Sequence, residues 1–186
     1  MRTVVRLSFL CAAISASFAS TNATAGVINN VLTQWRGHTD KCEDPRQRDA
    51  DAMVSVAMYE AINSVTPKYT PYTKTIEAPK GSSPEAAAAR AAHDVLVLVC
   101  EDQKGMFDGA LKTSLDAITD KTARDNGEKV GAKAAAAVIA ARANSNAVGK
   151  DPVNPPTTPG KYVQTTRLVG TIMSKQTPWI MKTPDE

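Results

Sequence analysis

The sequence has few of the residues that carry enzyme chemistry and none of the short motifs that arrange them. Its 186 residues include two histidines and three cysteines, and aromatic residues make up 5%. It contains no Gly-x-Ser-x-Gly elbow, phosphate-binding glycine loop, His-Glu-x-x-His helix or Cys-x-x-Cys pair. These absences exclude the common hydrolase, nucleotide, zinc-protease and dithiol sites from residues 1–186.

A strong charge of one sign and a long apolar run are also lacking. Arg2 and Arg6 are the only charged residues in 1–25, and without them the formal net charge falls from +3 to +1. A near-neutral chain without a Lys/Arg block gives no reason to expect nucleic acid or an anionic membrane as partner. The apolar run at 7–18 is shorter than the ~20 residues that span a bilayer. We therefore expect no nucleic-acid partner and no membrane partner.

The first 25 residues are typical of a secretory signal peptide. Arg2 and Arg6 give a basic start, residues 7–18 are apolar, and Ala23-Thr24-Ala25 is a small-x-small cleavage pattern. Cys11 follows Leu10 rather than a small residue, which argues against a lipid anchor. We expect a periplasmic or secreted protein from which residues 1–25 are removed.

Two cysteines remain after that cleavage, Cys42 and Cys100. In an oxidising compartment a bridge between them would persist. The equally simple alternative is a free Cys42 in a polar loop and a semi-buried Cys100 on an apolar helix face. Spacing in sequence does not test the geometry that a disulfide needs, so both interpretations stay open.

Hydrophobic periodicity predicts helices and no strand. We expect helices at 27–36, 44–63, 84–102, 103–118 and 121–144, with a proline-rich loop at 66–84 that ends in a Ser82/Glu85 capping box. Residues 145–186 contain prolines and glycines without a sustained period. The prediction is an all-α fold, an Ala-rich bundle of four to five helices at 26–144, followed by an extended Pro/Gly-rich tail or connector at 145–186.

Apolar residues at helical spacing define the faces that we expect to be buried. On the last helix the spacing alternates between threes and fours, as in a seam against a nearly antiparallel neighbour. For the second to the fifth helix in turn, the predicted faces are Ala50, Met53, Val54, Ala57 and Ala61; Ala88, Ala92, Val95 and Val99, with Leu96 and Leu98; Phe107, Leu111, Leu115 and Ile118; and Gly127, Val130, Ala134, Ala137 and Ala141.

The two histidines are the candidate catalytic or metal-binding residues. His38 lies in an acidic loop whose spacing matches no closed zinc site, so a solvated loop is the favoured interpretation. His93 precedes Asp94 among the alanines of the third helix, and a packed helix histidine is favoured over a catalytic base. We predict no catalytic, cofactor-binding or metal-binding residue in this chain.

The order of several segments resembles the N-terminal helical region of bacterial vanadium-dependent haloperoxidases, which belong with the type 2 phosphatidic acid phosphatases. The segments are VLTQW (31–35), MVSVAMYEAIN (53–63), PKYTPY (67–72), the stretch at 78–99 with its alanine-rich helix, an LDAI helix, an alanine-rich helix at 131–142, and TPW (177–179) in the connector. The resemblance implies structural roles for six residues: Trp35, Met58, Tyr59, Asn63, Tyr69 and Tyr72. Tyr59 and Asn63 share a helix face, where an asparagine that bonds the following turn is favoured over a ligand contact.

The resemblance also implies what this chain does not carry. The family binds vanadate or phosphate through an Arg-Pro, a Pro-Ser-Gly-His and a Ser-Arg segment of a C-terminal bundle, and none of these occurs in residues 1–186. A tetrahedral oxyanion needs such fixed cationic and backbone donors. Vanadate is therefore expected only together with a C-terminal catalytic domain.

Three functional hypotheses follow from the sequence. The first is an exported scaffold domain that is inactive alone. In this hypothesis a frameshift, an early stop or a gene-model error separates it from a C-terminal catalytic domain. The second is a free-standing periplasmic binding or subunit module, with a homodimer as one form. The third is an enzyme that uses His38 or His93 with nearby carboxylates, and it is the least favoured.

Overall fold

A computed structural model of the protein describes residues 31–42, 46–143, 145, 159–160 and 176–181. The predicted signal peptide and most of the predicted tail lie outside this part of the chain. Every regular element within it is helical, and the prediction of an all-α fold is confirmed. No helix in the described ranges is both long enough and apolar enough to cross a bilayer.

Within the described residues, five α-helices form the bundle. They are α1 (residues 31–37), α2 (Arg46–Val65), α3 (Pro84–Val99), α4 (Lys104–Asp116) and α5 (Lys121–Arg142). Two short 3-10 helices, Thr39–Lys41 and Glu101–Gln103, follow α1 and α3. Helices α2, α3 and α5 pack against one another, and α4 packs on the other side of α3. The central helix is therefore α3.

Alanine explains how α3 forms and why it can be central. Ser83 caps the helix by accepting from the Ala86 amide at 3.1 Å, and Pro84 follows in the first turn, where its missing N–H costs nothing. The alanine run has the highest helix propensity and carries little side-chain bulk. Six of these alanines are fully buried, so neighbouring helices approach α3 from several sides: Ala86, Ala87, Ala88, Ala89, Ala91 and Ala92.

The predicted capping box is wrong by one residue. Ser83, not Ser82, is the cap, and its hydroxyl donates to Glu85 at 2.8 Å. The Ser82 hydroxyl instead closes the preceding turn by donating to the Pro79 carbonyl at 2.6 Å. Ser82 has the capping-box spacing to Glu85 and Ser83 does not, so the three-dimensional turn rather than that spacing selects Ser83 as the cap.

The predicted buried faces are partly right. The α2 stripe from Ala50 to Ala61 is buried throughout, as predicted. On α3, Leu98 is 58% exposed rather than part of the core. On α5 the buried face passes through Gly131, Ala135, Val138 and Arg142, whereas Ala137 is half-buried and Ala141 exposed. The 3.6-residue repeat of a straight helix makes the face drift away from a fixed seam.

Two glycines of α5 allow its close approach to α3. A Cβ atom at Gly127 would overlap the Ser83 carbonyl oxygen and lie 2.8 Å from the Ala86 Cβ. A Cβ at Gly131 would overlap the Ala87 carbonyl oxygen and lie 2.9 Å from the Arg90 Cβ. Backbone atoms cannot move aside as a flexible side chain can, so both positions exclude any larger residue unless the helices separate.

We expect Gly131→Ala to destabilise the protein by about 1–3 kcal/mol, the usual cost of overpacking a core. This loss occurs although alanine has the better helix propensity. Gly109→Ala is the matched control, because nothing lies within 4 Å of a Cβ on this exposed residue of α4. It should gain about 0.5–1 kcal/mol. Urea denaturation of both variants measures the two changes, and equal stability of the two would contradict the close α3–α5 packing.

A disulfide closes the bundle between its N-terminal part and the end of α3. Cys42 and Cys100 are bonded, with Cα atoms 5.5 Å apart, and both residues are buried. Cys42 ends the first 3-10 helix and Cys100 ends α3. Of the two interpretations that the sequence leaves open, the structure contains the bridge.

Candidate functional site

Polar side chains gather around His93, on the face of α3 that meets α4. The His93 Nδ1 atom lies 2.8 Å from the Asp94 carboxylate, and Nε2 lies 2.9 Å from the Asp108 carboxylate of α4. Arg90, one turn before Asp94, donates through Nε to both oxygens of that carboxylate at 2.8 and 2.9 Å. Lys104 pairs with Asp108 from the solvent side. The result is a chain of alternating charges that joins α3 to α4.

The electrostatics of this cluster favour a protonated His93. Burial by itself lowers the pKa of the ring, but hydrogen bonds to Asp94 and Asp108 outweigh it, and the pKa of His93 is raised. The pKa of Asp94 is lowered, because bonds to His93 and Arg90 outweigh burial, which acts in the opposite direction. Bonds from Lys104 and then His93 lower the pKa of Asp108. Each charge in the cluster stabilises its neighbours.

Aromatic rings cover the inner side of the cluster. The Trp35 ring is fully buried, with its centroid 6.5 Å from that of His93 and 5.3 Å from that of His38. Its indole N–H donates to the Ser114 hydroxyl of α4 at 3.2 Å. The His38 ring also meets Phe107, centroid to centroid at 6.3 Å. Trp35, which the resemblance makes structural, therefore joins α1, α3 and α4.

His38 lies in less polar surroundings than His93. Burial first, and the nearby Lys41 charge second, lower the pKa of its ring. Its Nε2 atom is buried and has no hydrogen-bond partner within the described residues. A neutral ring in edge-to-face contact with Trp35 and Phe107 fits these surroundings.

The chemistry open to the His93 cluster is limited by its own bonds. When it is protonated, a ring with a carboxylate at each nitrogen donates from both and has no lone pair left for a metal ion. Within the described part of the chain, no group of three or more His, Cys, Asp or Glu side chains is placed to hold a metal. Through His93 and Asp108 the cluster joins α4 to α3.

We expect this cluster to make stability depend on pH. A histidine whose pKa is raised on folding stabilises the protein fully below its unfolded pKa of about 6.5, and this contribution is lost as the pH rises through the higher folded pKa. The lowered pKa values of Asp94 and Asp108 act below about pH 4, where their protonation removes the partners of His93. The unfolding free energy of the wild type should thus fall relative to that of His93→Gln as the pH rises above about 6.5.

Taking the difference between wild type and His93→Gln isolates the cluster. It removes the contribution of His38, whose lowered pKa gives the opposite trend at lower pH, up to its unfolded pKa of about 6.5. Chemical denaturation at several pH values provides the measurement. A difference that stays constant as the pH rises above about 6.5 would show that folding does not raise the pKa of His93.

A second set of contacts lies where α2 ends and the following loop turns back. The Asn63 side chain accepts from the Lys68 and Tyr69 amides at 3.0 Å each and donates to the Tyr69 carbonyl at 2.8 Å. The Tyr59 hydroxyl donates to the Thr70 carbonyl at 2.7 Å. Asn63 and Tyr59 thus have the structural contacts that the sequence favours over ligand binding.

Glu60 is the residue that the sequence reasoning missed. It lies between Tyr59 and Ala61 and is 1% exposed. Its carboxylate accepts from the Tyr72 amide and, at 3.1 Å, from the Thr73 amide. Glu60 is the one acidic residue in the largely apolar stretch 53–62, and this signal could have identified it, because a buried carboxylate needs donors.

The remaining family-motif residues have different positions. Met58 is buried, whereas Tyr69 is 70% exposed with its ring centroid 6.5 Å from that of Tyr59. Tyr72 reaches the C-terminal segment, where its hydroxyl donates to the Trp179 carbonyl at 2.6 Å. The predicted motif at 177–179 therefore contacts the predicted motif at 67–72.

An open cleft of about 690 Å³ lies between α1 and α2. It has charged sides, with Arg36 facing Asp40 and Asp51, and Met58 lines it as well. The Thr39 hydroxyl donates to Asp51 and ties the two walls together. Among the described residues that line the cleft, Met58 alone is a predicted site residue.

Comparisons of the chain with protein-family models, with curated proteins and with solved structures found no match. The haloperoxidase resemblance therefore rests on the order of the sequence segments alone.

Proposed function

We propose that the protein is an exported helical scaffold domain of the kind that precedes the catalytic bundle in bacterial vanadium-dependent haloperoxidases and type 2 phosphatidic acid phosphatases. In this proposal the domain performs no oxyanion chemistry of its own. The observation that carries the proposal is the contact of the motif at 177–179 with the motif at 67–72, which itself packs on the neighbouring motif at 53–63. Tyr72 and Trp179 are 107 positions apart, so closeness in sequence does not explain their contact.

The use of the polar residues supports a scaffold role. The Asn63 and Glu60 side chains hydrogen-bond to the backbone of the following loop. Both ring nitrogens of His93 contact carboxylates. The Arg-Pro, Pro-Ser-Gly-His and Ser-Arg segments that bind the oxyanion in the family do not occur in residues 1–186. What remains is a set of bonds that stiffen the bundle.

Two observations support export. The signal-peptide pattern of residues 1–25 directs the chain out of the cytoplasm, and the Cys42–Cys100 bridge suits an oxidising compartment. Mass spectrometry of the protein from a periplasmic extract should give a chain that starts at Gly26 and lacks two protons at the cysteines. A chain that keeps residues 1–25 would contradict export.

The direct test of the scaffold role is a vanadate titration of the purified mature protein, followed by vanadium NMR, with haloperoxidase and phosphatase assays alongside. We expect no saturable vanadate binding and no activity, in the wild type and in His93→Gln alike. Stoichiometric binding or activity that His93→Gln or His38→Ala abolishes would instead show that the chain is an enzyme by itself.

A free-standing binding module is the second candidate, and one observation favours it. Leu98 and Met106, on either side of the turn from α3 to α4, are 58% and 36% exposed. Exposed apolar side chains at one place mark contact surfaces when they form a patch. Sedimentation should then show a dimer that Leu98→Ser weakens, and a monomer at all concentrations would remove this candidate.

A further inference from the structure

The C-terminal segment 176–181 is held by an arginine at the end of α5. Arg142 donates through Nη1 to the carbonyl oxygens of Thr177 and Pro178, at 2.8 and 3.3 Å. Its guanidinium carbon lies 4.2 Å from the centroid of the Trp179 ring. Arg142 is only 5% exposed. Stacking and hydrogen bonding are stronger in such a dry environment than in water. The Arg142 side chain thus binds both the backbone of 177–178 and the Trp179 ring.

Tyr72, from the loop between α2 and α3, contacts the same segment. Its hydroxyl donates to the Trp179 carbonyl at 2.6 Å, and the two ring centroids are 5.8 Å apart. The Thr177 amide donates to the Ser145 carbonyl at 3.1 Å. Three successive carbonyl groups, 177–179, therefore accept from side chains of the bundle, and one aromatic side chain serves as the anchor.

Peptide-recognition sites combine contacts of these two kinds, hydrogen bonds to the peptide backbone and a contact with one side chain. Main-chain hydrogen bonds supply affinity whatever the sequence, and a place for one side chain supplies specificity. We propose that Arg142 and Tyr72 form a binding site for an extended Thr-Pro-Trp peptide, and that residues 177–179 are its ligand in cis. The proline restricts the free peptide and so reduces the entropy lost on binding. The contacts alone carry this proposal, which does not depend on the family resemblance.

The surroundings of the site suit an exchangeable ligand. Within the described residues, no side chain of 176–181 belongs to the fully buried core, and Trp179 packs against that core while it is only partly buried. Ile180 and Met181 beyond the anchor are 92% and 45% exposed. A peptide from another molecule can therefore approach along the surface that the segment follows.

The test uses the full mature chain with Trp179→Ala, which removes the anchor of the cis ligand and keeps Arg142 and Tyr72. The probe is a blocked synthetic peptide of residues 174–182 that carries fluorotryptophan and is followed by fluorine NMR. We expect saturable binding of one peptide per chain. The wild type should bind it more weakly, because the attached segment has the higher local concentration.

Further variants in the Trp179→Ala chain identify the residues that bind. Arg142→Lys keeps the charge but loses planar stacking and paired donors, and should weaken binding about ten-fold. Tyr72→Phe loses the hydroxyl donor and should weaken it less. Tyr69→Phe is the matched control, because its exposed ring makes no contact with the segment in the structure, and it should bind as before. Circular dichroism verifies that each variant is folded.

Three results would each overturn the proposal. One is the lack of saturable binding to the Trp179→Ala chain up to a few millimolar peptide, the range in which a cis segment operates. Another is equal binding of a control peptide with alanine in place of tryptophan. The third is unchanged affinity when Arg142→Lys is introduced.

Discussion

Loss of the Cys42–Cys100 bridge is expected to lower the free energy of unfolding by about 4 kcal/mol. The bonded residues are 58 positions apart, and a cross-link that closes a loop of this length removes that much chain entropy from the unfolded state. Both cysteines are buried, so Cys42→Ala with Cys100→Ala is a cleaner replacement than serine, which would bury two hydroxyl groups. Urea denaturation of the oxidised wild type and the double variant gives the difference.

Reducing agent supplies the matched control for this prediction. It should lower the stability of the wild type by a similar amount and leave the double-alanine variant unchanged. Free thiols in the folded, exported protein would show that the bridge does not form. A double variant as stable as the wild type would show that the bridge adds nothing to the fold.

Trp35→Ala should destabilise the protein by about 3–5 kcal/mol, the usual cost of removing a buried large aromatic side chain. Trp35 is the largest of the fully buried side chains in the described residues. Its ring meets both histidines, and its indole N–H bonds Ser114, so its removal loosens α1 and α4 together. Denaturation followed by far-ultraviolet circular dichroism measures the effect.

Two comparisons make the Trp35 prediction specific. Trp35→Phe keeps most of the apolar contact and loses the hydrogen bond to Ser114, so it should cost less than Trp35→Ala. Trp179→Ala removes the other tryptophan, which is only half-buried, and should also cost less. If Trp35→Ala lowered the free energy of unfolding no more than Trp179→Ala does, the Trp35 ring beside His93 would not be part of the core.

The helices could be predicted from the sequence because their signals are local. The apolar stripe of α2 and the proline and serine at the start of α3 act within a few residues. The exposure of Leu98 and Ala141 could not be predicted in this way, because periodicity does not tell which neighbour covers a face. The shift of the cap from Ser82 to Ser83 has the same origin in tertiary contacts.

The sites were less predictable than the helices, because their members come from distant positions. Asp94 and Arg90 lie four apart on one helix, a spacing that the sequence shows. The link from His93 to Asp108 joins two helices, and the contact of Arg142 with Trp179 spans from α5 to the C-terminal segment. Nothing in the local pattern around Arg142 distinguishes it from a solvated helix-end arginine.

The structural contacts and the family resemblance lead to one account of this protein. Tyr59, Glu60 and Asn63 brace the loop that carries Tyr72, and Tyr72 contacts the segment at 177–179. The His93 cluster fixes α4 on the opposite side of α3. Under the proposed scaffold function, these polar side chains would stiffen a platform, and oxyanion chemistry would belong to a separate helical bundle.

Reading the coding DNA beyond codon 186 in all three frames tests the scaffold account most directly. The account predicts that one frame encodes a helical segment with Arg-Pro, Pro-Ser-Gly-His and Ser-Arg, in that order. These are the donors and the imidazole that a bound vanadate or phosphate requires. If none of the frames contains these motifs, the scaffold account is contradicted, and the helices function as a module on their own.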